Sequence, residues 1–156
     1  MKINSKEIER RMYRFKAVCR KTGTKLTHQR IEIFREVAQS DEHPDAEKVF
    51  KSVRKRMPAV SLDTVYRALW LLKDLGLITT LGPSQERTRF DANLDRHHHF
   101  VCLQCGMTRD FYSDDFDNLS LPDSIKALGL IETTRVEVKG VCRKCAGKGK
   151  EAYTIN

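Results

Sequence analysis

A chain of 156 residues, 40% hydrophobic and 32% charged, is a folded protein of one ordinary domain or two small ones. No run of 18 apolar residues occurs, which excludes a membrane-spanning helix, and residues 1–21 are polar and basic rather than signal-like, so a cytoplasmic location is expected. The net charge of +8 comes wholly from residues 1–82, where 18 Lys and Arg face 10 Asp and Glu; residues 83–156 carry 11 of each. That asymmetry is either a solvated basic face or a phosphate-binding half followed by a neutral one.

Residues 5–21 have the helical spacing Ile8, Met12, Phe15, Val18, with Ser5 as a possible cap and Cys19 packing as a small apolar residue. Gly23 interrupts. Thr27 then caps a second helix with Ile31, Phe34 and Val37 inward, and Asp45 caps a third with Ala46, Val49, Phe50 and Val53, which Pro58 stops. Ser61 opens a fourth with Leu62, Val65, Leu69 and Leu72 inward, ending at Gly76. Residues 77–81, the turn Gly82-Pro83-Ser84 and residues 87–90 read as strand, turn, strand. Four helices followed by a β-hairpin match a winged helix-turn-helix with one extra leading helix, the fourth helix being the reader and the hairpin the wing.

The second half reads as short strands near 97–103 and 107–112, a helix over 114–129 interrupted at Pro122, and a long strand over 130–139; the Gly/Lys-rich end, 146–156, is expected to be a flexible tail. The fold class is therefore α+β: a winged-helix domain over 1–91, a hinge at 92–96, and a small α/β domain over 97–145.

Five cysteines are present, and four form two C-x-x-C pairs: Cys102 with Cys105, and Cys142 with Cys145. Four thiolates at that spacing suit a closed tetrahedral Zn²⁺ site of structural type, the alternative being redox dithiols or buried thiols. Three consecutive histidines, His97, His98 and His99, fall on a strand. Alternation puts His97 and His99 on one face, His98 and Cys102 on the other. With Asp91, Asp95 and Asp110 nearby in sequence, two imidazoles and carboxylates form a mixed N/O donor set suited to Fe²⁺, Mn²⁺ or Zn²⁺; a solvated polar patch is the plainer reading.

Leu26-Thr27-x-Gln29-Arg30, His43-Pro44, Thr64-Val65-Tyr66-Arg67-x-Leu69, Arg89-Phe90-Asp91, His97-x-His99-x-x-Cys102-x-x-Cys105-Gly106 and Gly140-Val141-Cys142-x-x-Cys145 occur in that order. Over roughly residues 5–145 the chain resembles the ferric uptake regulator (Fur) superfamily. The resemblance implies a homodimeric repressor that reads palindromic double-stranded operator DNA, with an α/β dimerisation domain and no membrane association. It implies a structural Zn²⁺ on Cys102, Cys105, Cys142 and Cys145, and a regulatory Fe²⁺ or Mn²⁺ on His43, Asp91, His97, His99 and Asp110. Asp at both carboxylate positions resembles the peroxide-responsive (PerR) branch, in which His43 and His97 would be the oxidised ligands. Arg67 after Tyr66 instead resembles the iron-uptake branch, and a zinc-responsive regulator shares the fold. A further metal site of some members looks broken: His98 and Asp117 stand near its positions, but Arg96 and Thr134 replace expected ligands. Tyr66 and Arg67, with Thr64, Thr27, Gln29 and Arg30, are the candidate DNA contacts, and Trp70 is expected half-buried under the wing. A metal-dependent hydrolase lacks a spare general base in the motif, and a zinc-ribbon RNA binder leaves the winged-helix pattern unexplained, so no enzymatic role is expected.

Overall fold

The computed structural model describes residues 3–82 and 88–147 and divides the chain into two compact units at Leu94 and Asp95. The expected wing turn at 83–87 and the expected tail from 148 onward lie outside the described residues. Among the described residues no helix is long and apolar enough to cross a membrane.

The first unit contains α1 (Ser5–Thr22), α2 (His28–Ala38), α3 (Ala46–Arg54), α4 (Leu62–Asp74) and a hairpin of β1 (Thr79–Leu81) and β2 (Arg89–Asp91). Local chemistry places the helix starts. Thr27, Asp45 and Ser61 each accept the backbone N–H three residues on, at 3.3, 2.8 and 3.1 Å, which satisfies one otherwise orphaned donor of each first turn. For α1 the cap is Asn4, not Ser5: its Oδ1 accepts the Glu7 N–H at 2.8 Å, and Ser5 is already helical. Gly76 ends α4 with φ +68, and Leu77 N–H closes the turn onto Leu72 C=O at 2.9 Å; a residue with a Cβ would be strained in that left-handed backbone.

Phe15, Ile33, Phe34, Val37, Val49, Val53, Val65, Leu69, Leu72 and Phe90 form one buried core, with Phe15 stacked on Phe34 at 4.7 Å. Ile33 is fully buried while Ile31 is only partly so, a rotation of the α2 stripe from the expected one. The hairpin is antiparallel, with Thr79 opposite Asp91 and Leu81 opposite Arg89. Trp70 on α4 is 42% exposed and meets Phe90 of β2 edge-on at 6.1 Å, so the half-burial expected for it is that of a lid over a wing strand.

Glu32 of α2 is buried and pairs with Arg35 and, at 2.9 Å, with Arg56 beyond the end of α3. The guanidinium groups are half-exposed, so solvent screens the pair. Glu32→Ala is expected to lower stability by about 1–2 kcal/mol, read as a shifted denaturant midpoint at unchanged slope.

The second unit contains β3 (His98–Cys102), β4 (Thr108–Phe111), α5 (Asp114–Asp117), α6 (Asp123–Lys126), β5 (Glu137–Gly140) and α7 (Arg143–Ala146). Its sheet has the order β4-β3-β5, β3 being antiparallel to β4 and parallel to β5. Two expectations are refined. The 114–129 helix is interrupted before Pro122 as expected, but it is shorter than expected: two four-residue helices separated by 118–122, with Pro122 at the N-cap of the second. The long strand over 130–139 is confined to 137–140. Only there does the segment lie beside β3 in register; Leu130 is fully exposed and Leu128 86% exposed. Alternating hydrophobicity forms a strand only where another strand supplies hydrogen bonds.

Candidate metal centres and nucleic-acid interface

The four cysteines are brought together by sheet register. Parallel pairing sets Cys102 opposite Gly140, so both knuckles leave the same end of the sheet. In the first, Cys102 N–H donates to Met107 C=O and Gly106 N–H to Cys102 C=O, at 2.8 and 2.9 Å, with Gly106 at φ +68. In the second, Cys142 starts α7, and its carbonyl accepts from Cys145 and Ala146 N–H, both at 2.9 Å. A Cβ on Gly140 would approach the Phe100 ring to 3.3 Å, which explains glycine directly before the second knuckle.

All four sulfurs lie within 4.8 Å of one another, and Cys105 Sγ is 3.8 Å from Cys142 Sγ. A tetrahedron with Zn–S bonds of about 2.3 Å has edges of about 3.8 Å. None of the cysteines is in a disulfide. The proton affinities are split in the way a metal-free thiol cluster requires. The Cys142 backbone N–H, 3.3 Å from Cys102 Sγ, leads the donors that hold the Cys102 thiol down to about 6. Cys145 is pushed up to about 12, chiefly by hydrogen bonding to Cys142 and then Cys105. Cys102 thus forms a thiolate readily, while Cys145 holds its proton.

The His/Asp residues form two partial donor sets, one in each unit. In the first unit His43 and Asp91 are buried, with Nδ1 of His43 3.6 Å from Oδ1 of Asp91. His43 has φ +48 and is the one non-glycine residue with positive φ among those described; such a conformation costs about 1 kcal/mol and persists only where neighbours impose it. Strand β2 imposes it: Arg89 Nη1 donates to the carbonyls of Glu42 and His43 at 3.2 and 3.4 Å, and Phe90 N–H to Pro44 C=O at 3.0 Å. Asp91 Oδ1 also accepts the Asn93 N–H at 2.7 Å.

In the second unit Nε2 of His97 and Nε2 of His99 face each other at 3.0 Å, and Asp110 Oδ1 lies 3.7 and 3.5 Å from them. Antiparallel pairing places His99 opposite Asp110. Asp95 C=O lies 2.6 Å from His97 Nδ1. A carbonyl only accepts, so that nitrogen carries the ring proton and Nε2 presents its lone pair. His98 points to the other face, buried among Phe111, Phe116 and Asp117. Arg96 Nε sits 3.0 Å from Asp117 Oδ1 and supplies positive charge where a ligand would be needed. Asn93 and the Asp95 carbonyl have no distinctive sequence signal, because they act through the backbone; Arg89 stands in a quoted motif, but its hold on the Glu42 and His43 carbonyls is not visible there.

The candidate nucleic-acid residues meet at the start of two helices. Thr27, Gln29 and Arg30 of α2 and Asp63, Thr64 and Arg67 of α4 line one open groove. Thr64 Oγ1 is 2.8 Å from Ser61 Oγ, and the Arg67 side chain, 81% exposed, is paired with Asp63 at 2.9 Å. Tyr66 is exposed but does not line the groove. Two helix N-termini with basic side chains make a surface complementary to phosphate.

A family model described as the ferric uptake regulator family matches residues 21–138. The chain belongs to that family. It is 31% identical over 134 residues to the peroxide-responsive repressor PerR of Staphylococcus epidermidis, covering 85% of this chain and 89% of that protein. Among solved structures, the ferric uptake regulator of Vibrio cholerae superposes with TM-score 0.66 at 26% identity, over 81% of this chain and 98% of that one. That of Helicobacter pylori superposes with TM-score 0.72 over 99% of both chains; at 22% identity it speaks for the fold alone. This Fur-family chain is accordingly a metal-responsive transcription regulator of mixed helix and sheet, with a winged-helix first unit and a four-cysteine cluster compatible with zinc.

Proposed function

We propose that this Fur-family protein is a homodimeric, peroxide-sensing repressor of palindromic operators, located in the cytoplasm, with structural Zn²⁺ on the four cysteines and regulatory Fe²⁺ or Mn²⁺ on His43, Asp91, His97, His99 and Asp110. The observation that carries the reading is the division of the His/Asp donors. His43 and Asp91 are too few to hold an ion, and His97, His99 and Asp110 make only a three-donor set. An ion taken by both sets fixes the reading unit relative to the second, whereas without it the junction near 92–96 allows several orientations. The ion is then a ligand that shifts a population. In a two-fold dimer that orientation sets the spacing of two α4 helices, which must be about 34–36 Å to read adjacent half-sites.

The peroxide reading rests on the two aspartates and on curated relatives named as peroxide-responsive repressors. Bound Fe²⁺ would supply the one-electron chemistry by which peroxide adds oxygen to a ligand imidazole. An oxidised His43 or His97 is a poorer donor, and the two sets separate. Treating the Fe²⁺ form with peroxide should add one oxygen to peptides carrying His43 or His97 as operator binding is lost; release of DNA with both histidines intact would sink the idea. Arg67 beside Tyr66 favours an iron-uptake regulator instead, and operator titrations with Fe²⁺, Mn²⁺ and Zn²⁺ separately distinguish the two and a zinc sensor.

Tyr66, Arg67, Thr64, Thr27, Gln29 and Arg30 are the proposed DNA contacts. Arg67→Ala should weaken operator binding by about 1–3 kcal/mol without changing metal content, and the loss should depend on the base it faces.

A further inference from the structure

The outward face of α1 takes no part in either donor set or in the groove. Phe15 and Cys19 bury the inner face, with Met12 and Val18 packed against the core. At about 100° per residue, Lys6, Arg10, Tyr13, Arg20 and Lys21 fall on the opposite side, with Arg14 and Lys16 on its two flanks, and all are exposed, Tyr13 by 75%. Counting Arg11, the helix carries seven cations against two acids, Glu7 and Glu9. Glu7 is held by Arg10 and Arg11, each at 2.7 Å. Among the described residues, Arg14, Lys16, Arg20 and Lys21 join no ion pair. Complementing the helix dipole accounts for Arg20 and Lys21 in the last turn, but not for Arg14 and Lys16. Solubility alone is served by mixed charge; an outward face with six cations and a single exposed acid, Glu9 in its first half, attracts a polyanion.

Connectivity ties this face to the groove. Lys21 is six residues before Thr27, the cap of α2 and part of the groove lining, and Arg30 of that lining donates to Lys25 C=O of the connection at 2.6 Å. We infer that Lys16, Arg20 and Lys21 form a second phosphate-gripping surface, which holds the backbone of duplex DNA beside the segment engaged by α2 and α4. The inference rests on the DNA-binding reading above. The contact is to phosphate alone, so it adds affinity and salt dependence without sequence discrimination.

The test compares the metal-loaded protein with its K16Q/R20Q/K21Q variant on an operator duplex and a scrambled duplex, across a range of salt. Helical content and zinc stoichiometry should match, since the three side chains are exposed. Removing one phosphate-bound cation flattens the plot of log affinity against log salt by about 0.9. The slope should fall by about 2–3 per chain on both duplexes, with the operator-to-scrambled ratio preserved, and K16R/R20K/K21R should restore it. An unchanged slope overturns the inference, as does a weakening confined to the operator. If neither protein binds either duplex, the DNA-binding reading itself fails; if both bind with one slope, only the α1 surface does.

Discussion

Replacing Cys102 by Ser should abolish zinc retention and unfold residues 95–147 while leaving the helical unit folded. Cys102 ends the central strand, is fully buried, and lies within 4.8 Å of three other sulfurs. The unit around it lacks an ordinary core: among its described residues only Cys102 and Cys142 are buried hydrophobics, whereas the large buried cluster belongs to residues 15–92. A domain of about 60 residues is marginal even with a good core. Zinc at a four-thiolate site contributes about 10–16 kcal/mol of apparent binding free energy, more than such a unit could replace. Zinc analysis together with limited proteolysis checks this: a stable fragment near residue 94, with no zinc bound, is the expected product. Uniform resistance in C102S would show that sheet packing suffices without the metal.

Acid should reproduce the effect. Cys102 is held near 6 against an ordinary value near 9, so its contribution is complete above 9 and is lost as pH falls through 6. Cys145 has the opposite sign: its raised value favours the protonated, metal-free cluster below 9, and that preference fades only as pH rises toward 12. Zinc uptake near neutral pH therefore releases protons, and affinity falls with pH, steeply below about 6. An indicator dye that takes up released zinc measures the midpoint.

What was legible in the sequence follows the range of the forces involved. Thr27, Asp45 and Ser61 cap their own helices through contacts three residues away, so composition reveals them. Period-two alternation separates His97 and His99 from His98 and Cys102 without knowledge of the sheet's neighbours. The strand misread in the second unit arises where a local pattern lacks a partner, and the interrupted helix differs only in extent. Residues 130–136 alternate like a strand, yet β3 accompanies only 137–140. The stretch 114–129 contains helix formers, but Ser113 and Pro122 start separate turns and Leu119 to Pro122 break them apart. Nor does sequence show that His43 has a left-handed backbone, because the groups that impose it, Arg89 and two carbonyls, are dozens of residues apart in the chain.

Removing one ligand from either unit should have the same consequence, and this equality is the sharpest test of the proposed regulation. His43→Ala, in the first unit, and His99→Ala, in the second, should each weaken Fe²⁺ or Mn²⁺ binding by about 100-fold or more; loss of a mere supporting hydrogen bond to a ligand already costs about 10–100-fold. Both variants should keep their zinc, because the four cysteines are untouched. Both should also keep salt-sensitive, non-specific DNA binding, because α2 and α4 do not change. What disappears is the dependence on metal. Driving a two-state protein from 1:99 to 99:1 needs a differential affinity of about 10⁴, and only an ion bound more tightly by two joined donor sets than by one provides it. Metal-dependent operator binding, measured for both variants over the same range of Mn²⁺, should be flat. If His99→Ala lost the metal dependence and His43→Ala kept it, the ion would act within the second unit alone. His43 would then be a strained, buried histidine whose part in the protein is packing.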